Sequence, residues 1–135
     1  MVEILLVIAI IGIMASLVLT VISGAARDAH AVVARQQQVV VQEALNAWIA
    51  NASSQSGGIA AARTAYNAAG SDSAKLALIQ SYLGGDTYGH LTDTNFSSGS
   101  VISSASLQAS GYSLSFSSWS GSNYPSVQLL KNSPP

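Results

Sequence analysis

The stretch "DTYGHLTD" places Asp86, His90 and Asp93 within eight residues, two carboxylates and an imidazole of the kind that can hold a divalent cation. Their spacing matches no EF-hand loop, and imidazole is a poor ligand for a hard cation that prefers oxygen, so the segment reads as a solvated loop. His30, close to Asp28 and Arg35, reads as a polar position on the outer face of a helix. Serine hydroxyls are plentiful as candidate nucleophiles. They lack a G-x-S-x-G context, and the chain has only two histidines to serve as bases, so an enzyme is not expected. With no cysteine, thiolate catalysis, cysteine metal sites and disulfides are all excluded, and no cofactor is expected. What remains is Glu3, the carboxylate at the head of "MVEILLVIAIIGIMASLVLTVI". At the centre of a membrane-spanning helix an acid costs about 2.5–3.5 kcal/mol, less near the interface, so an acid at the border of the run calls for a partner or a purpose.

The element that carries Glu3 is a long helix. Ile4 to Ile22 are nineteen residues without a charge, interrupted only by Gly12, Ser16 and Thr20. As a helix they extend about 28 Å, close to the roughly 30 Å of a bilayer's hydrocarbon layer. The run is too long, and too near the start without a basic region, for a cleavable secretory signal, so it is expected to belong to the working protein. Beyond it, "SGAARDAHAVVARQQQVVVQEALNAWIANASSQSGG" contains no proline. Ala25, Ala29, Val32, Val33, Gln36, Val40, Ala44, Ala47 and Trp48 recur at intervals of three and four, which predicts a covered stripe on a continuing amphipathic helix. The two parts predict one rod of about 70–75 Å that ends between Asn51 and Gly57, with any bend at Ser23 and Gly24.

A head must cover that stripe. Residues 57–84 read as one or two short helices, with Ser71 or Asp72 capping a helix over Ala74 to Leu83 and Gly84 stopping it. In "GYSLSFSSW" Tyr112, Leu114 and Phe116 alternate with serines, the pattern of a strand with one covered face. "SVQLLK" supplies a second strand, "GSVISSASLQ" a third, and Ser120 to Asn123 the turn between the first two. The expected fold class is α+β: a long amino-terminal helix, apolar then amphipathic, with a small antiparallel sheet of three or four strands. Residues 1–24 form an apolar segment and residues 25–135 the amphipathic continuation with its head. Charged residues are only 8% of the chain against 49% hydrophobic, and the net charge is −1. With no basic tract, a nucleic-acid partner is not expected.

This arrangement, and above all "MVEILLVIAIIGIMASLV" with its glutamate at Glu3 and its glycine at Gly12, resembles the segment that follows the cleavage site of type IV pilins and pseudopilins. The match covers about the first 25 residues; beyond residue 30 the likeness is one of architecture. The resemblance implies a subunit that waits in the inner membrane, is processed by a prepilin peptidase, and is polymerised with copies of itself by the pilus or secretion assembly machinery. It implies an extracellular filament or a periplasmic pseudopilus. It also implies that the apolar helices bundle into the filament core, where Glu3 meets the positively charged amino terminus of a neighbour, near Met1. The mature chain is accordingly expected to begin at or just before Met1 and to carry an N-methyl group. Thr20 stands where many members carry a helix-weakening proline, and the family's carboxy-terminal disulfide loop has no counterpart here. A structural subunit of a pilus-like filament is the leading expectation. A type II secretion pseudopilin is the alternative within the superfamily, and a membrane-anchored binding or adhesion module that never polymerises is the alternative outside it.

The serine-rich, charge-poor stretch from Asn95 to Ser122 raises one more expectation. Net charge ordinarily keeps surfaces apart, and here a neutral hydrated coat would do that work. Two Asn-x-Ser sequons, at Asn51 and Asn95, are candidate glycosylation sites.

Overall fold

The computed structural model describes residues 1–132. Helix α1 runs from Val2 to Ser54, 53 residues without interruption, or about 80 Å at the α-helical rise. It passes through Ser23 and Gly24 as continuous helix, so the glycine does not break the rod. Four short helices follow, α2 (Gly58–Ala68), α3 (Asp72–Leu78), α4 (Gly85–Thr92) and α5 (Ala105–Ser110), with a 3-10 turn at Gln80–Tyr82 between α3 and α4. Strands β1 (Tyr112–Phe116) and β2 (Val127–Lys131) close the head. This is the α+β fold expected, a long helix with a small antiparallel sheet.

The reversal after α1 depends on glycine. Gly57 has φ of 108°, and a Cβ there would lie 2.7 Å from the Ala61 Cβ, so both the backbone conformation and the close approach exclude a side chain. Ser71 rather than Asp72 caps α3: its hydroxyl accepts from the Ala74 N–H at 3.2 Å. Asp72 sits in the first turn instead, where the helix dipole favours a carboxylate, and pairs with Lys75 Nζ at 3.6 Å.

Among the described residues the sheet has two strands, not three or four. Its register pairs Phe116 with Val127 and Leu114 with Leu129, which puts the alternating apolar residues of β1 on the covered face. The expected third strand shrinks to two isolated bridges, Val101 with Ser98 and Ile102 with Leu114, the second of which reaches the sheet, after which the chain turns into α5. The cause is local. Ser104 caps that helix by accepting from the Leu107 N–H at 3.3 Å, Ala, Leu and Gln favour helix, and Gly111 ends it with φ of 75°. The Asp86 to Asp93 segment is likewise not a loop, because α4 occupies most of it.

The core joins Val41, Leu45 and Ile49 of α1 to Tyr66, Leu76, Ile79, Leu107, Leu114 and Val127. The covered face of α1 is therefore rotated from the expected stripe: Ala34, Val41, Ala44, Leu45 and Ile49 are buried, while Val32, Val33 and Val40 are exposed. Only Ala44 and the half-buried Trp48 belong to both. Glutamines select this face. Val127 at the start of β2 donates its N–H to Gln42 Oε1 at 2.7 Å and accepts from Gln38 Nε2 at 2.8 Å. Gln37 Oε1 accepts from the hydroxyls of Ser104 and Ser106 at 2.9 and 3.2 Å. These bonds tie α5 and β2 to one side of the rod and satisfy backbone groups that the small sheet leaves unpaired.

An aromatic series stiffens the far side of the head. Trp48, Tyr66, Trp119 and Tyr124 follow one another at ring-centroid distances of 6.3, 6.0 and 5.6 Å, within the range of favourable aromatic pairing. The Tyr66 hydroxyl donates to the Ser117 carbonyl at 2.8 Å. Burial, with the nearby charge of Asp72 as a smaller cause, pushes this phenol well above its ordinary range, so it stays a neutral donor.

Candidate functional site

From Val2 to Ile22 every large apolar side chain of α1 is exposed, between 46% at Ile10 and 76% at Val2. None of this surface is used to build the head, whose covered α1 residues begin at Ala34. Full burial of a Val, Leu or Ile side chain is worth about 1.5–3 kcal/mol, so the segment as a whole is strongly driven out of water. Within Val2–Ser54 lies a window long and apolar enough to cross a membrane.

The polar groups inside the run are already satisfied. Ser16, Thr20 and Ser23 each donate to the carbonyl three residues earlier, Ile13, Leu17 and Thr20, at 2.8–2.9 Å. A hydroxyl that bonds its own helix can enter a low-dielectric environment without an unpaired donor. Glu3 has no such arrangement. Among the described residues the chain holds one ion pair, Lys75 with Asp72, so Glu3 is uncompensated within its own chain. It does occupy the first turn, where the positive end of the helix dipole contributes about 0.3–1 kcal/mol. That is too little to offset the several kcal/mol of desolvating an ion.

Met1 and Glu3 lie together at the amino-terminal end of α1, and Gly12 lies about 13 Å further along the axis. A Cβ added at Gly12 would meet nothing within 4 Å, so no packing within the chain requires the glycine. It nonetheless weakens the helix by roughly 1 kcal/mol relative to alanine.

A second apolar surface continues the first. Val32, Val39 and Val40, with Gln36, Glu43 and Ala47, are exposed on the side of α1 turned away from the head, and Val32 is 63% exposed. His30 and Arg35 are exposed as well.

The other singled-out residues divide. Asp86 and His90 lie one turn apart on α4, both exposed, while Asp93 Oδ1 accepts from the N–H and the side-chain amide of Asn95 at 2.9 and 2.8 Å. No group of three or more potential metal ligands comes together among the described residues. Asn51 lies in the last turn of α1, where its amide donates to the Tyr82 hydroxyl, an engaged helical position that is a poor acceptor for glycan. Asn95 lies on an exposed turn. If the chain carries N-linked carbohydrate, it is expected at Asn95 and not at Asn51. Peptide mass mapping of native material checks this, and a hexose-bearing peptide containing Asn51 would contradict it.

Sequence reasoning missed the glutamines of α1 and the role of Trp119. The signal for the glutamines was present: "QQQVVVQ" puts four amides on a helix beside apolar residues, more than a solvated face needs. No family model, curated protein or solved structure matches this chain.

Proposed function

We propose that this chain is a structural subunit of a type IV pilus-like filament, held in the inner membrane by α1 before assembly and packed through α1 against copies of itself afterwards. One observation carries the reading. The head is complete without residues 1–30, yet residues 4–22 of this segment present an uncharged, exposed apolar surface headed by an uncompensated carboxylate at Glu3. A bare anchor explains the apolar surface and leaves Glu3 without purpose. A bundle of identical helices explains both, because the carboxylate of one subunit meets the amino-terminal charge of the next, and each charge becomes tolerable in the bundle core through the other. Such a pair sets axial register more than it adds stability.

Two further features fit the same picture. A Cβ at Gly12 would meet no other part of its own chain, which leaves that face free for a neighbouring helix to approach. The exposed valines at 32, 39 and 40 prolong the apolar surface beyond membrane length, on the side of α1 that the head leaves free.

Electron microscopy of sheared cell-surface material, with peptide identification from residues 57–131, tests the proposal. Thin filaments containing this chain are the expected result. A monodisperse membrane monomer with no polymer would overturn it, and short assemblies confined to the periplasm would shift it to a pseudopilin.

A further inference from the structure

The connection from β1 to β2 is built more firmly than a bare hairpin loop requires. Its base closes through the Ser117 N–H donating to the Ser126 carbonyl at 2.9 Å and the Ser126 N–H donating to Ser117 Oγ at 2.8 Å. Its middle is pinned to α2, where the Asn67 amide donates to the Trp119 carbonyl at 3.0 Å and accepts from the Trp119 N–H at 3.3 Å. Trp119 is thereby buried, at 4% exposure, while Tyr124, packed against it at a tilt with ring centroids 5.6 Å apart, remains 62% exposed.

Two cavities meet at that tyrosine. One, of about 70 Å³, lies between Arg63, Trp119, Asn123 and Tyr124. At roughly 30 Å³ per water, it has room for about two waters or one carboxylate. The other is an open cleft of about 540 Å³ lined by hydroxyls and amides, including Ser118, Ser120, Asn123 and Gln128. That volume lies in the range of small-molecule sites. Neither cavity is lined by an acidic residue.

Arg63 is the only cation at either cavity. Its guanidinium lies 5.9 Å over the Trp119 ring. It has no ion pair among the described residues, and its Nε is shielded from solvent with no hydrogen-bond acceptor. With its Nε closed to solvent, any contact with a ligand falls to the outer nitrogens, and a planar guanidinium is suited to a carboxylate.

We propose that this loop, with α2, is a binding site for a saccharide that carries a single carboxylate. The sugar ring stacks on Tyr124, its hydroxyls bond the serine and amide side chains of the larger cleft, and its carboxylate reaches Arg63 through the smaller cavity. A single cation suits a monoanion and not a polyphosphate or nucleic acid, which require several. The pinned loop holds the site in its binding geometry, which reduces the entropy lost on association. The inference is independent of polymerisation and concerns the head alone.

The test uses the full chain in a detergent without a sugar head group, titrated with D-galacturonate and with its uncharged methyl ester. Binding is read by tryptophan fluorescence and by saturation-transfer NMR. Saturable binding of galacturonate, tighter than that of the ester by at least about tenfold, is expected, since a charge-assisted hydrogen bond contributes more than a neutral one. Arg63→Gln should remove the difference. Tyr124→Ala, at an exposed position that does not endanger folding, should weaken both ligands about tenfold, and Tyr124→Phe should leave both unchanged. No saturable binding of either ligand, equal affinity for the two, or Tyr124→Ala without effect would each overturn the proposal. Displacement of galacturonate by an equal concentration of inorganic phosphate would overturn it as well, by showing a general anion site.

Discussion

Shortened to begin at Ala25, the chain is expected to remain folded, to become monomeric in water, and to form no filaments. The buried residues that α1 contributes to the head start at Ala34, and the glutamines that hold α5 and β2 are Gln37, Gln38 and Gln42, so the deletion removes no core contact. It does remove every large apolar side chain from Val2 to Ile22, all exposed in the single chain. At about 25 cal/mol per Å² of apolar surface withdrawn from water, that segment is the largest source of association energy the chain has. Circular dichroism and a thermal melt check folding, and sedimentation with electron microscopy checks assembly. Filaments formed efficiently by the shortened chain would place the main subunit contacts in the head.

Glu3→Ala is expected to leave membrane insertion intact or improved and to reduce filament yield severely. Removing the carboxylate lowers the cost of entering the bilayer, so a defect in insertion would not follow. Within a helix bundle the same change strands the neighbour's amino-terminal charge. Breaking one partner of a buried pair typically costs about 3–5 kcal/mol, a factor of more than about a hundred in each association step. Membrane fractionation measures the first effect, and filament mass per cell measures the second. Wild-type filament yield from the variant would remove the basis for a register role.

The contrast between these two predictions reflects how α1 is divided. Its first 30 residues contribute nothing to the head, and its remainder builds one side of the head's core. The apolar run could be read directly, because a membrane-length stretch without charge leaves the water whichever way the helix faces. The amphipathic half was harder. Residues 32–49 carry apolar side chains on two sides, and a period of 3.6 identifies a helix without choosing which side is covered. The choice fell to the side bearing Gln37, Gln38 and Gln42, because the head presents hydroxyls and a strand end that need those amides. The valines at 32, 33 and 40 were left outside.

The head divides in the same way. The alternation in Tyr112 to Phe116, a cap at Ser71 or Asp72 and the helix end after Asn51 are local properties, set by side-chain periodicity and by hydrogen bonds between residues a few positions apart. They were legible in the amino-acid order alone, as were the α+β class and the isolation of Glu3. The number of strands, the phase of the covered stripe and the site around Trp119 were not. Ile102 to Gln108 reads as part of a strand, but Ser104 caps a helix there that Ala105, Leu107 and Gln108 favour, and that helix packs against Gln37. Arg63 and Trp119, 56 positions apart in the chain, stack only because the Asn67 amide draws the β1 to β2 loop onto α2. Short-range pattern determined which elements could form; contacts between residues far apart in sequence decided which faces were buried, because the side chosen had both to cover the head's apolar core and to pair polar groups, such as those of Val127 and Ser104, with the amides of α1.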